Sequence, residues 1–185
     1  MEISSHAVNM EESATQFRVR PERQAMLREA YERNIDSGQP PYADIEIQSR
    51  DEVLWIIQER NWSGEVHDLT DLADRTRQWK HRIDLRRAIL RLADLHDLHL
   101  VGADLQGANL EGAEASRALL KYADLSGANL KEVSVRDAIL WHATLSGADL
   151  SYANLVGTDL LLTDLRGTNL NGVWMSDSTI FRRAD

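Results

Sequence analysis

From Leu85 to Ile180 an apolar residue recurs at every fifth position, twenty times in succession; sixteen of the twenty are leucine, and the exceptions are Ala115, Val135, Met175 and Ile180. Two residues ahead of each stands a second column, alanine in twelve cases and threonine at Thr158, Thr163 and Thr168. Between the columns the residue is Asp or Asn eleven times, as in Ala103-Asp104-Leu105 and Ala148-Asp149-Leu150, and eight of the ten glycines sit two residues after the leucine position. A period of five carries the apolar positions steadily round a helix, so no stripe forms and helix is excluded for this region. The same period suits a chain that turns a corner after each very short strand. Leucine then fills the centre, the small residue takes the tight place beside it, and Gly, Asp and Asn serve the corners.

The pattern A-[DN]-L-x-x resembles the pentapeptide-repeat family over residues 82 to about 181. The resemblance implies an all-β solenoid, a right-handed quadrilateral β-helix with four repeats per coil, hence about five coils and a rod about 24 Å long. It implies a fold and no activity. Stepping twenty residues assigns every position to one of four faces. Those through Leu85 and Leu90 are polar outside, and in the core column of the third Ala115 underfills one coil.

The fourth face breaks the outward-polar rule. Val101, Lys121, Trp141, Leu161 and Phe181 are expected to stack in one outward column, with Leu119 and Ile139 in the next and Tyr122 and Leu162 beside them. An apolar strip of this size on a wet solenoid marks a contact surface. Its occupant is open between the chain's own N-terminal segment, a second copy in a homodimer and a different protein.

Residues 1–16 are polar and aperiodic and are expected to be disordered. Residues 17–81 read as a small helical capping module ahead of the β-helix of 82–185. Pro21 opens a helix with Met26, Leu27, Ala30 and Tyr31 at helical spacing, ending at Ser37-Gly38. Asp44 to Ile47 alternate like a short strand, and Ser49-Arg50-Asp51-Glu52 has capping-box form ahead of a second helix that stops near Asn61 to Gly64. A third helix, from about Asp68 to Lys80, is expected to lid the first coil, whose end exposes unpaired backbone and stacked leucine. At the other end the final Ala184-Asp185 pair is one residue out of step, which suggests a fragment of a longer repeat protein or an end that pairs with another copy.

Composition narrows the chemistry. With no cysteine there is no disulfide, thiolate nucleophile or Cys-ligated metal. The lack of a long apolar run or a signal-like start makes the cytoplasm the expected compartment, with no membrane partner. A net charge of −9 argues against direct nucleic-acid binding. His96 and His99 straddle a corner without an evident third ligand, so no metal or other cofactor is expected. The stacked carboxylates have nothing to separate their pKa values, and no nucleophile elbow, P-loop or dinucleotide motif occurs, so no catalytic residues and no enzyme are expected.

The resemblance also raises an alternative, because the family includes gyrase-protecting, quinolone-resistance members that imitate duplex DNA. The acidic column for such a role here is Asp84, Asp104, Asp124 and Asp164. Duplex DNA would carry about 14 charges over a rod of this length. Residues 84 to 185 hold 14 acidic but also ten basic residues, and Thr144 interrupts the column. The favoured expectation is therefore a non-catalytic protein-interaction or scaffold module whose contact surface lies around Trp141, with DNA gyrase as partner only under the alternative.

Overall fold

A computed structural model of the chain describes residues 18–59, 83–182 and 184. From Ile83 the backbone repeats one unit: a small residue, a bridge residue, a leucine-position residue and a two-residue turn. The bridges are parallel and join each middle residue to the one twenty positions later, as in Asp84 to Asp104 and Leu119 to Ile139. Four columns result, through Asp124, Asn129, Ser134 and Ile139, each with five coil residues.

Hydrogen bonding explains how strands this short persist. Leu85 N–H donates to the Asp104 carbonyl at 2.7 Å, and Asp104 N–H donates back to the Ile83 carbonyl at 2.9 Å, so each middle residue engages the coil before it with both backbone groups. The corner closes when the small residue donates to the leucine-position carbonyl three residues earlier, as Ala88 does to Leu85 at 3.1 Å. The middle Asp or Asn has a local duty: its side-chain oxygen accepts the N–H two residues on, from Ser126 to Asp124 at 3.0 Å and from Ser151 to Asp149 at 2.9 Å. Where threonine replaces alanine, its buried hydroxyl donates across coils, Thr158 to the Val135 carbonyl at 2.7 Å and Thr163 to Leu140 at 2.8 Å.

The five-residue count runs without a slip only as far as Met175. One extra residue enters at Ser176-Asp177-Ser178, so Thr179 occupies the small position and its hydroxyl donates to the Leu155 carbonyl at 2.8 Å. Ile180 then pairs with Asp159, twenty-one residues back, as a middle residue, and Phe181 takes the core position. The expectations that Ile180 lies in the core column and Phe181 in the outward strip are both corrected by this slip. The Ala184 N–H donates to the Phe181 carbonyl at 3.2 Å, the ordinary corner bond, so Ala184 is in phase once the extra residue is counted.

Helix α1, Pro21–Asp36, starts with proline in its first turn and ends at Ser37 before Gly38, whose φ is +74°. Helix α2, Arg50–Glu59, is capped by Ser49 Oγ accepting from Glu52 N–H at 3.2 Å. The Glu52 carboxylate accepts from Gln48 N–H at 2.8 Å and, although the residue is only 5% exposed, holds Arg23 of α1 through two bonds of 2.9 and 3.0 Å. The segment read as a short strand proves to be a rung of the β-helix. Glu46 pairs in parallel with Ile89, Ile89 N–H donates to Ile45 at 2.9 Å, and Ile47 N–H donates to Ile89 at 2.8 Å.

Tyr42-Ala43-Asp44-Ile45-Glu46-Ile47 is thus one detached repeat laid over the first coil, with Tyr42 and Ile47 buried in the same core as Leu85 and Leu90. Arg23 also donates to the Glu46 carbonyl, closing the outer edge of that rung. The expected third helix, 68–80, and the expected disorder of 1–16 lie outside the described residues.

Candidate interaction face

The coil places the sequence-derived strip on one side, although less exposed than its composition suggests. Leu119 and Ile139 are bridge partners, and Lys121, Trp141 and Leu161 stack as first-turn residues of successive coils. Lys121 Nζ lies 4.2 Å from the centre of the Trp141 ring, a cation–π contact. Tyr122 and His142, at the second turn position, stack with centres 5.0 Å apart and planes 5° from parallel. Tyr122, Leu162, Trp141 and Leu161 are half-buried, and Val101 is buried at 8% exposure. The Trp141 indole Nε1 is shielded and has no acceptor among the described residues. Phe181 has left the strip for the core column, and Arg182 stands in its place, its carbonyl accepting from Leu162 N–H at 3.0 Å.

Apart from Phe181, the strip read from the sequence leaves out a second group of exposed apolar residues at the far end of the coil. Leu170, Trp174, Met175, Ile180 and Phe181 gather on the last coil, with Trp174 at 68% exposure. The only signal was position: core-column and middle residues alike lose their cover when no described coil stacks on them.

The acidic column is present but internally compensated. Asp84 and Asp164 each take a guanidinium from two residues ahead, with closest contacts of 2.6 Å to Arg86 and Arg166. That pairing holds the Asp164 carboxyl down at about 2. Asp104 is 1% exposed and lies 3.6 Å from Arg86, while Asp124 accepts from Gln106 Nε2 at 2.6 Å and from Ser126. His96 contacts Asp94 and packs near Asp97, which Arg117 of the next coil holds at 2.6 Å, keeping the Asp97 carboxyl below its usual range. Among the described residues no group of three or more His, Asp or Glu could hold a metal ion, and no helix is long and apolar enough to cross a membrane.

The stacking period, the Asx bonds at the middle positions and the leucine core find their counterpart in a known family: the family model for pentapeptide repeats matches residues 99–137, 128–167 and 143–180, with eight copies. The coil is a pentapeptide-repeat domain. Solved structures similar to the chain include a pentapeptide repeat protein, Rfr23, from the cyanobacterium Cyanothece 51142, 33% identical over 51% of this chain and 65% of that one, with a TM-score of 0.51. Another, from the thylakoid lumen of Arabidopsis thaliana, is 31% identical over 51% of this chain and 61% of its own, with a TM-score of 0.30. HetL, a pentapeptide repeat protein of Nostoc involved in heterocyst differentiation regulation, is 32% identical over 55% of this chain and 46% of its own, with a TM-score of 0.25. The chain therefore spans less than two thirds of each of these proteins. No curated protein matches it. The pentapeptide-repeat solenoid is a right-handed β-helix, and proteins of this kind are generally structural or interaction modules and not enzymes.

Proposed function

We propose that the pentapeptide-repeat domain is a non-catalytic protein-interaction module whose contact surface is the face around Trp141. The observation that carries this reading is the aromatic and aliphatic stack of Trp141, Leu161, Tyr122, Leu119 and Ile139 on the side of a rod whose other faces carry paired ions and Asx bonds. A second copy and a different protein both suit such a surface.

Site-directed photo-crosslinking in an extract of the source organism tests the reading. A photoreactive residue replacing Tyr122 should give discrete products, with another protein or with a second copy, that vanish when Trp141→Asp is added; a probe replacing the exposed Glu132, ten residues on and so on the opposite face, should give none. Equal products from both positions would overturn the assignment.

The alternative, imitation of duplex DNA toward gyrase, has less support. Two of its four carboxylates are neutralised by Arg86 and Arg166, and Asp104 is buried, so the column offers little field. Inhibition of gyrase supercoiling at micromolar protein would restore it.

A further inference from the structure

We infer that the Trp141 face takes an amphipathic helix of a partner protein, one bearing two acidic residues about ten positions apart. This rests on the reading of that face as the contact surface and adds the chemistry of what it contacts.

Charge comes first. Among the described residues of the coil, Arg86, Arg87, Arg91, Arg117, Lys131 and Arg166 each have an acidic partner within 4 Å. Lys121, Arg136 and Arg182 have none among the described residues; Arg136 stands on the neighbouring face, which carries Asp94, Asp97, Glu114 and Asp137, whereas Lys121 and Arg182 belong to one first-turn column with Trp141 and Leu161 between them. With Asp159 as its one acidic residue, this is the only side of the described coil where bases outnumber acids, on a chain of net charge −9. Two unpaired cations framing an apolar stack fit a ligand that is apolar in the middle and acidic at its ends.

Spacing and backbone chemistry then select a helix. Lys121 and Arg182 stand three coils apart, about 14 Å at the usual strand spacing, which a helix rising 1.5 Å per residue covers in about nine or ten residues. An extended segment would need backbone partners, and the sides of these coils have none to give. The N–H and C=O groups of Leu119, Leu120, Ile139 and Leu140 are already bonded, to neighbouring coils or, for the Leu120 carbonyl, to Ala123 at its own corner. A helix satisfies its own backbone and can lie along the column, its apolar face on Trp141 and Leu161.

The probe is a synthetic helix of about fourteen residues with leucine at i, i+3, i+4 and i+7 and two glutamates ten apart, compared with the same peptide carrying lysines in their place. Anisotropy titration against the full chain at low salt should show the acidic peptide binding at least tenfold more tightly. Trp141→Asp should abolish binding, and the surface double variant Lys121→Glu/Arg182→Glu should reverse the preference, with far-UV dichroism of each variant unchanged. Equal binding of the two peptides, or a preference that survives the double reversal, overturns the acidic-helix inference; if Trp141→Asp still abolishes that binding, the contact face itself stands. Binding indifferent to Trp141→Asp overturns both readings, and failure of the acidic peptide to bind overturns the helix inference.

Discussion

Replacing Gly112 with alanine separates two reasons for the corner glycines. The backbone at Gly112 has φ +64°, which an alanine adopts at a cost of about 1 kcal/mol. A methyl group there would also stand 2.7 Å from Cδ2 of Leu92, the residue at the same corner one coil earlier. Leu92 is 66% exposed and can swing away, giving up its rotamer and its contact, for about another 1 kcal/mol. Gly127 has the same φ of +64° with nothing within 4 Å of the added carbon, so Gly127→Ala carries the backbone cost alone. Urea unfolding followed by far-UV dichroism should therefore give losses of about 2 kcal/mol for Gly112→Ala and about 1 kcal/mol for Gly127→Ala. In a Leu92→Ala background the Gly112 value should fall to that of Gly127. Equal losses at the two glycines in the natural background, or a Gly112 loss indifferent to Leu92, would refute the idea that the earlier side chain sets the need for glycine.

Three further outcomes follow from the same geometry. Leu140→Asp, which buries an unpaired charge in the core, should abolish folding by dichroism, whereas Trp141→Asp, one residue on and facing out, should leave a folded coil; if both unfold, the register is wrong. Thr158→Val should destabilise by about 1 kcal/mol in thermal melts, since a buried hydroxyl bond is lost while the Val135 carbonyl keeps its corner bond from Ala138; no change would show that bond to be idle. The depressed Asp164 pKa of about 2 means its pairing with Arg166 stabilises the fold above the ordinary carboxylate pKa, and this support is lost as pH falls through about 2. Asp164→Asn should flatten the acid limb of stability between about pH 4 and 2, by less than about 1 kcal/mol after solvent screening.

The solenoid was legible because its signal is repeated: each Leu105 or Leu125 restates the same spatial rule, and one exception cannot hide it. The slip at Ser176-Asp177-Ser178 was hidden by chemistry, since Ile180 is as apolar as the leucine whose place it was given, and only Thr179, in its bond to Leu155, marks the true phase. The detached repeat at 42–47 was missed for the opposite reason. A single copy has no period, and its Tyr42 and Ile45 depart from the Leu and Ala of the coil. For the candidate face, composition located the strip, but side chains on neighbouring coils bury one another, so the remaining exposure of Trp141 depends on stacking that no linear pattern states. The glycine pattern pointed to corners, yet Arg87, Leu92, Tyr122 and His142 hold the same positive φ without it; what glycine supplies at Gly112 and Gly172 is room for the Leu92 and Tyr152 side chains.

The detached rung also sets an order of assembly. Neighbouring coils join residues twenty apart, so the solenoid can grow by local closures, each new rung templated by the last. Glu46 reaches its partner Ile89 across more than twice that length of chain, which adds about 0.7 kcal/mol to the entropy of closure. It also has no docking site until the first coil exists. The N-terminal rung, with α1 and α2 behind it and Arg23 across its edge, is then the last piece to arrive and the first to leave. Amide exchange at Ile47 and Ile89 should report that opening well before the leucine positions of the middle coils exchange.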